Sequence, residues 1–170
     1  MVSVALEGQA DTFRRFSQQG RRILLLAQVE ARLLTHHEAG PEHLLLGIVH
    51  CADDVAARAL GDLGITLESA RQRVDEVVSA LGDAERTEYP MFTAQAKEAL
   101  RLSAREADTL GHEHVEPPHL LLAIVHLGGN PAVDVLVRLG IAPDELCQRV
   151  IAMIPDLVDH GTPALVGGTT

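Results

Sequence analysis

His43-Leu-Leu-Leu-Gly-Ile-Val-His50 returns, with one change, as His119-Leu-Leu-Leu-Ala-Ile-Val-His126. The offset is 76 residues (119 − 43), and sliding the chain by that amount lays it on itself without a gap. Between Phe16 and Val74, 24 of 59 positions are identical to their partners. Leu63-Gly64-Ile65 recurs as Leu139-Gly140-Ile141, and Gln72-Arg73-Val74 as Gln148-Arg149-Val150. Chance does not produce this, so the unit is a duplicated module. Two copies fall short of the three or more that a solenoid needs. The pattern predicts a closed pair with pseudo-twofold symmetry and one shared core.

Each copy reads as four helices. The first starts after Ser17, a good N-cap, and runs to about Thr35, with Ile23, Leu24, Ala27, Ala31 and Leu34 at helical spacing. Its partner starts after Thr93, with Ala99, Leu100, Ser103, Ala107 and Leu110 in the matching places. The second helix opens at Pro41, where a missing N–H costs nothing. The third follows Asp53-Asp54 and stops near Gly64, a C′ glycine. The fourth starts after Thr66 and ends near Leu81. No segment alternates as a strand does, so the predicted class is all-α: two tandem four-helix repeats. The expected organisation is an N-terminal extension (1–12), repeat 1 (13–81), a polar linker (82–91), repeat 2 (92–154) and a flexible tail (155–170), with both repeats in one globular domain.

The chain has 170 residues, of which 46% are hydrophobic but only 2% aromatic. A chain of this size buries roughly 70% of its unfolded surface, and here the core must be Leu, Val, Ile and Ala. The formal net charge of −10 argues against nucleic acid, which needs a basic surface. No apolar run reaches the ~18 residues of a membrane span, and the N-terminus lacks the basic start of a signal peptide. Cys51 and Cys147 form no Cys-x-x-Cys pair and read as buried thiols. A cytoplasmic location is therefore expected.

Catalytic motifs are missing. The single lysine, Lys97, lies between Ala96 and Glu98, so there is no P-loop. There is no Gly-x-Ser-x-Gly elbow and no acid/base pair of carboxylates. His36, His43 and His50 are evenly spaced, as are His112, His119 and His126, but each set crosses a loop and a helix end. Without His-Glu-x-x-His or paired cysteines they read as structural rather than metal ligands. A non-enzyme without metal or cofactor is expected.

The helix starts are more informative. Ser17 and Thr93 are followed one turn later by Arg21 and Lys97. Free N–H groups, a hydroxyl and a cation can hold a phosphate or carboxylate; equally, Ser and Thr are simply good caps. Phe13, Phe16 and Phe92 lie before or at these starts. They read either as staples and core or as an apolar pocket for a peptide, with Phe13 the best placed for partial exposure.

Phe16-Ser-x-x-Gly-Arg-Arg-x-x-x-Leu-Ala-Gln-x-Glu-Ala-Arg-x-Leu, Gly40-Pro-Glu-His-Leu-Leu-Leu-Gly-Ile-Val-His50 and Phe92-Thr-x-x-Ala-Lys-x-x-Leu-x-Leu-Ser-x-Arg-Glu-Ala together resemble the Clp N-terminal domain, and most of all the N-domain of ClpC-type unfoldases. The likeness covers about residues 13–154. It implies a bacterial N-domain, expected to stand alone without ATPase modules if the 170 residues are the whole protein, with an unfoldase, its adaptors or its protein substrates as partners. In some relatives such domains bind phosphoarginine, with phosphate at the first helix start and guanidinium on the Glu of a Gly-Thr-Glu-His motif. Carried over, the resemblance implies a first site of Ser17, Arg21 and Glu42, with Ser17 in place of the usual Thr and Pro41 where the motif has its Thr. It implies a degenerate second site of Thr93 and Lys97, where Pro118 replaces the Glu. It further implies a pocket at Phe13, Phe16 and Phe92 for cyclic peptide natural products, which a sequestering or resistance protein would bind.

Overall fold

The computed structural model describes residues 10–51, 54–82, 85 and 87–154. Repeat 1 contains α2 (Gln18–Leu33), α3 (Pro41–His50), α4 (Val55–Asp62) and α5 (Leu67–Ser79); repeat 2 contains α6 (Ala94–Thr109), α7 (Pro117–Leu127), α8 (Pro131–Arg138) and α9 (Pro143–Met153). A short α1 (Ala10–Arg14) precedes them. The expected eight helices are thus present within a residue or two of their expected ends, where helix limits fray in any case. The predicted flexible tail and residues 1–9 of the predicted extension lie outside the described residues.

Local chemistry sets these boundaries. Ser17 Oγ accepts from the Gly20 N–H at 3.1 Å and Thr93 Oγ1 from the Ala96 N–H at 3.1 Å. Prolines open α3, α7, α8 and α9, where the first turn has no use for their N–H. Gly64 and its partner Gly140 follow α4 and α8 with φ of 84° and 80°, which a β-carbon would strain. The central pair, α3 and α7, is apolar on almost every side. Leu44, Leu45, Leu46 and Ile48 pack with Leu120, Leu121, Leu122 and Ile124 in one cluster spanning both repeats, each of the eight at most 1% exposed. A helix apolar all round belongs at the centre. Gly47 lets α2 descend onto α3, because a β-carbon there would meet the Ile23 carbonyl oxygen at 2.7 Å.

Two very short strands add to the all-helical expectation. β1 (Glu38–Ala39) pairs in parallel with β2 (Met91–Phe92), Ala39 opposite Phe92, and an isolated bridge joins Phe16 to Val115. Under the 76-residue shift these are one contact made twice. Each repeat's entry strand pairs with the loop before the second helix of the other repeat. Ser17 N–H donates to the Val115 carbonyl and Thr93 N–H to the Ala39 carbonyl, both at 3.0 Å.

The evenly spaced histidines fasten those loops. Gly40 N–H donates to His43 Nδ1 at 3.0 Å. The ring proton therefore sits on Nε2, which donates to His36 Nδ1 at 2.8 Å, and His36 Nε2 faces Asp75 Oδ1 at 3.3 Å. Repeat 2 repeats the relay, from Glu116 N–H to His119 Nδ1 at 2.8 Å and from His119 Nε2 to His112 Nδ1 at 2.7 Å. Among the described residues no group of His, Cys, Asp or Glu has the arrangement of a metal site.

Buried Glu30 ties α2 to its neighbours. Arg71 donates to both its oxygens at 2.7 Å, and His50 Nδ1 lies 3.0 Å from Oε1. Burial pushes this carboxyl up, but the bonds from Arg71 and His50 outweigh it and hold it below its usual range. In repeat 2 the counterpart of Arg71 is Cys147, and among the described residues Glu106 keeps His126 alone, at 2.6 Å.

The caps of α4 and α8 differ by one atom type. Asp54 Oδ1 accepts from the Ala56 and Ala57 N–H groups, and Asn130 Oδ1 accepts from Ala132 and Val133. Asn130 Nδ2 also donates to the Ile124 carbonyl at 2.9 Å, whereas Asp54 Oδ2 is buried with no hydrogen-bond partner among the described residues. Burial pushes the Asp54 carboxyl up to about 6. Between pH 4 and 6 the folded chain thus holds a proton that the unfolded chain releases, so this group's contribution falls as pH rises through 6. Asp54→Asn should raise unfolding free energy at pH 7 by about 2–3 kcal/mol and leave it nearly unchanged at pH 4, as read from urea titrations of the two chains. A variant no more stable than the parent at pH 7 contradicts this account. In the opposite sense, burial lowers His119 to about 4. Nitrogen-15 NMR should find its ring neutral, protonated at Nε2, down to about pH 4.

Candidate functional site

The cross-paired strands create two grooves, each between the helix start of one repeat and the loop of the other. In the first, the segment after β1 brings Gly40, Pro41 and Glu42 beside Thr93 and Gln95 at the start of α6. His36, Asp75 and Pro131 complete a cleft of about 400 Å³. Glu42 is 6% exposed. Its Oε2 has no hydrogen-bond partner among the described residues, and its Oε1 lies 3.2 Å from His43 Nδ1, a nitrogen already accepting from Gly40. A carboxylate folded back in this way requires glycine at 40, since a β-carbon there would collide with both its oxygens. Leaving a charged oxygen buried without a donor is costly. The groove therefore presents a carboxylate that lacks a cation, next to a helix start that carries no anion among the residues named.

The second groove holds Arg14, Phe16, Ser17, Arg21, His114 and Glu116. Here the same two backbone positions have exchanged roles. Pro118 stands where Glu42 stands in repeat 1, and Glu116 where Gly40 does. The carboxylate that Pro118 lacks is supplied from two residues upstream. Glu116 Oε2 accepts a 2.6 Å hydrogen bond from Ser17 Oγ, whose hydroxyl also caps α2. A negative group at a helix N-terminus is favourable, so Glu116 occupies the anion position of α2 from within the chain. Arg21 lines the same groove, donating to the Arg14 carbonyl at 3.1 Å with its guanidinium 5.5 Å over the Phe13 ring.

These placements correct two groupings drawn from the sequence. Ser17 and Arg21 do not share a groove with Glu42, because each helix start faces the other repeat's loop; Thr93 is the residue that does. Nor do the three phenylalanines form an apolar pocket. Phe16 and Phe92 are 2% and 6% exposed in the common core, and only Phe13 is partly exposed. Lys97 lies one turn into α6, its N–H bonded to the Thr93 carbonyl, and is not among the residues lining the first groove. Glu116 was not singled out by the sequence; the exchange of Gly40-x-Glu42 for Glu116-x-Pro118 is the signal that marks it.

Comparison with known proteins accounts for the duplication. A family model for the Clp repeat (R) N-terminal domain matches residues 15–89 and again 91–165. The chain is 35% identical over 158 residues to the chloroplastic chaperone protein ClpC of Pisum sativum, covering 93% of this chain and 17% of the relative. The chain thus spans about one-sixth of the length of the curated relatives it matches. Among solved structures, the N-terminal domain of ClpD from Arabidopsis thaliana superposes with a TM-score of 0.71 at 24% identity, covering 84% of this chain and 96% of that one. A ClpV N-domain in complex with a VipB peptide superposes with a TM-score of 0.63 at 18% identity, covering 86% and 91%. The duplicated sequence, the paired four-helix repeats and these matches agree: the chain belongs to the Clp N-terminal repeat family.

Proposed function

We propose that the chain is a non-catalytic binding module of a cytoplasmic bacterial Clp proteolysis system. It receives substrates or adaptors of a ClpC-type unfoldase, and its working site is the groove of Glu42 and Thr93. The observation that carries this reading is the buried Glu42 carboxylate, with one oxygen unpartnered, in the groove that also holds the start of α6. A guanidinium is a planar, always charged donor that meets a carboxylate with two bonds. A phosphate suits a helix N-terminus with a free hydroxyl. Phosphoarginine carries both groups, and a groove of about 400 Å³ accommodates it. The second groove is closed to the same ligand, because Glu116 already fills its anion position and Pro118 offers no carboxylate. Peptide capture by the ClpV N-domain is the kind of docking envisaged. Sequestration of cyclic peptides has less support, since two of its three phenylalanines are core residues.

Calorimetric titration with phosphoarginine is expected to show one site per chain, with free arginine much weaker. Glu42→Gln, keeping shape and removing charge, should weaken binding about 10–100-fold, the loss expected for charge-assisted bonds. Thr93→Ala should weaken it less. Glu116→Gln should leave it unchanged. Loss in Glu116→Gln with retention in Glu42→Gln moves the ligand to the other groove, and absence of binding removes the phosphoarginine reading.

A further inference from the structure

The duplication provides an internal control for every exposed position, and α2 fails that control along one face. Leu25, Val29 and Leu33 follow each other at four-residue steps and are 50%, 46% and 62% exposed. Their counterparts on α6 are Arg101, Arg105 and Thr109, all exposed. The two helices pack equivalently, α2 on α3 and α6 on α7, so the fold does not require apolar side chains here. The charges flanking the stripe are inverted as well. Arg22 and Arg32 on α2 correspond to Glu98 and Asp108 on α6. On α6 these acids are engaged, Glu98 by Arg101 and Asp108 by Arg15 at 2.8 Å. Arg22 and Arg32 have no acidic partner among the described residues, in a chain whose net charge is −10. The segment beside the stripe is fastened by Gln28, whose Nε2 donates to the Pro90 carbonyl at 3.0 Å, and leaves Met91 47% exposed.

We propose that this face of α2 is a docking surface for an acidic amphipathic helix of a partner protein, separate from the Glu42 groove and independent of its ligand. The stripe is a ridge of four-residue steps inclined to the helix axis and about 12 Å long, from eight residues at the helical rise, which matches two turns of an apposed helix. An arginine stands at each end, about 15 Å apart by the same rise. They call for carboxylates flanking the partner's apolar residues. A second copy of this chain is a poor occupant, because packing α2 against α2 in either direction sets arginine against arginine across a desolvated contact.

The probes are two labelled, alanine-based helical peptides with leucines at matching spacing, one flanked by glutamates and one by lysines, read by fluorescence anisotropy. The glutamate peptide is expected to bind at roughly micromolar to tens of micromolar Kd, weakening as salt is raised. The lysine peptide should bind at least ~10-fold more weakly. Leu25→Arg with Val29→Arg installs what α6 already carries on an equivalent helix, so the fold should persist by circular dichroism while binding falls at least ~10-fold. Arg22→Glu with Arg32→Glu should reverse the preference between the peptides. The proposal is overturned if neither peptide binds, or if both bind alike. It is also overturned if sedimentation shows a dimer of the parent chain that the Leu25→Arg/Val29→Arg variant abolishes, which would give the face to a second copy. Phosphoarginine affinity should stay unchanged in these variants, so failure here and failure of the Glu42 site are read separately.

Discussion

Two backbone hydrogen bonds, from Ser17 to Val115 and from Thr93 to Ala39, decide how the halves of this molecule meet. Each lies at the first residue before a long helix and reaches into the loop of the other repeat. Neither is strong alone, since a typical intramolecular hydrogen bond adds about 1 kcal/mol net. Their importance is positional. They hold the α2 and α6 starts against the loops that open α7 and α3, and the histidine relays hold those loops in turn. With entry strands and loops interlocked, α3 and α7 share one apolar centre rather than forming two small cores that neither repeat is large enough to fill.

The same interlocking makes both grooves composite, and the sequence has then treated them differently. In one, a glycine gives space and a glutamate two residues later uses it, leaving a buried carboxylate oxygen without a donor. In the other, a proline replaces that glutamate and a glutamate replaces that glycine, so the carboxylate reaches the opposite helix start and binds the capping serine. The first arrangement is under-satisfied and suited to an external cation. The second is internally satisfied. Local accounting of donors and acceptors thus separates a groove whose carboxylate lacks a donor from one whose carboxylate is engaged, at matching places in the two repeats.

Much of this was legible in the residues. The 76-residue shift gave the pairing of elements, and the caps Ser17, Thr66 and Thr93 with Gly64 gave their limits, because capping is a short-range matter of side chain and backbone. The histidines in the first turns of α3 and α7 were readable as structural for the same reason. What could not be read was which loop faces which helix start. Ser17 and Glu42 belong to one repeat and to one site as the resemblance implies it, yet the contact that places them is made between repeats, and tandem periodicity carries no information about crossing. Phe16 and Phe92 were readable as staples or core from their places before helices, as well as residues of a peptide pocket, and the core reading is the one the structure bears out. Their burial follows from the strand pairing, which two-residue strands are too short to announce. Glu116 was hidden because its counterpart is a glycine, and a residue gained at a glycine position is easily passed over in a search for residues lost.

Covalent duplication has a consequence beyond economy of design. If two identical repeats had associated as separate chains, every substitution would appear on both sides of the axis, and a partner could settle in either of two equivalent poses. Joined in one chain, the copies are free to drift apart. Arg71 faces Cys147 in the comparison, Asp54 faces Asn130, Gly40 faces Glu116, and an apolar stripe faces a charged one. The scaffold keeps its near-symmetry where packing demands it and abandons it at the rim. A visitor to this surface therefore meets a molecule with a distinct front and back, and a pose chosen on one half has no mirror option on the other.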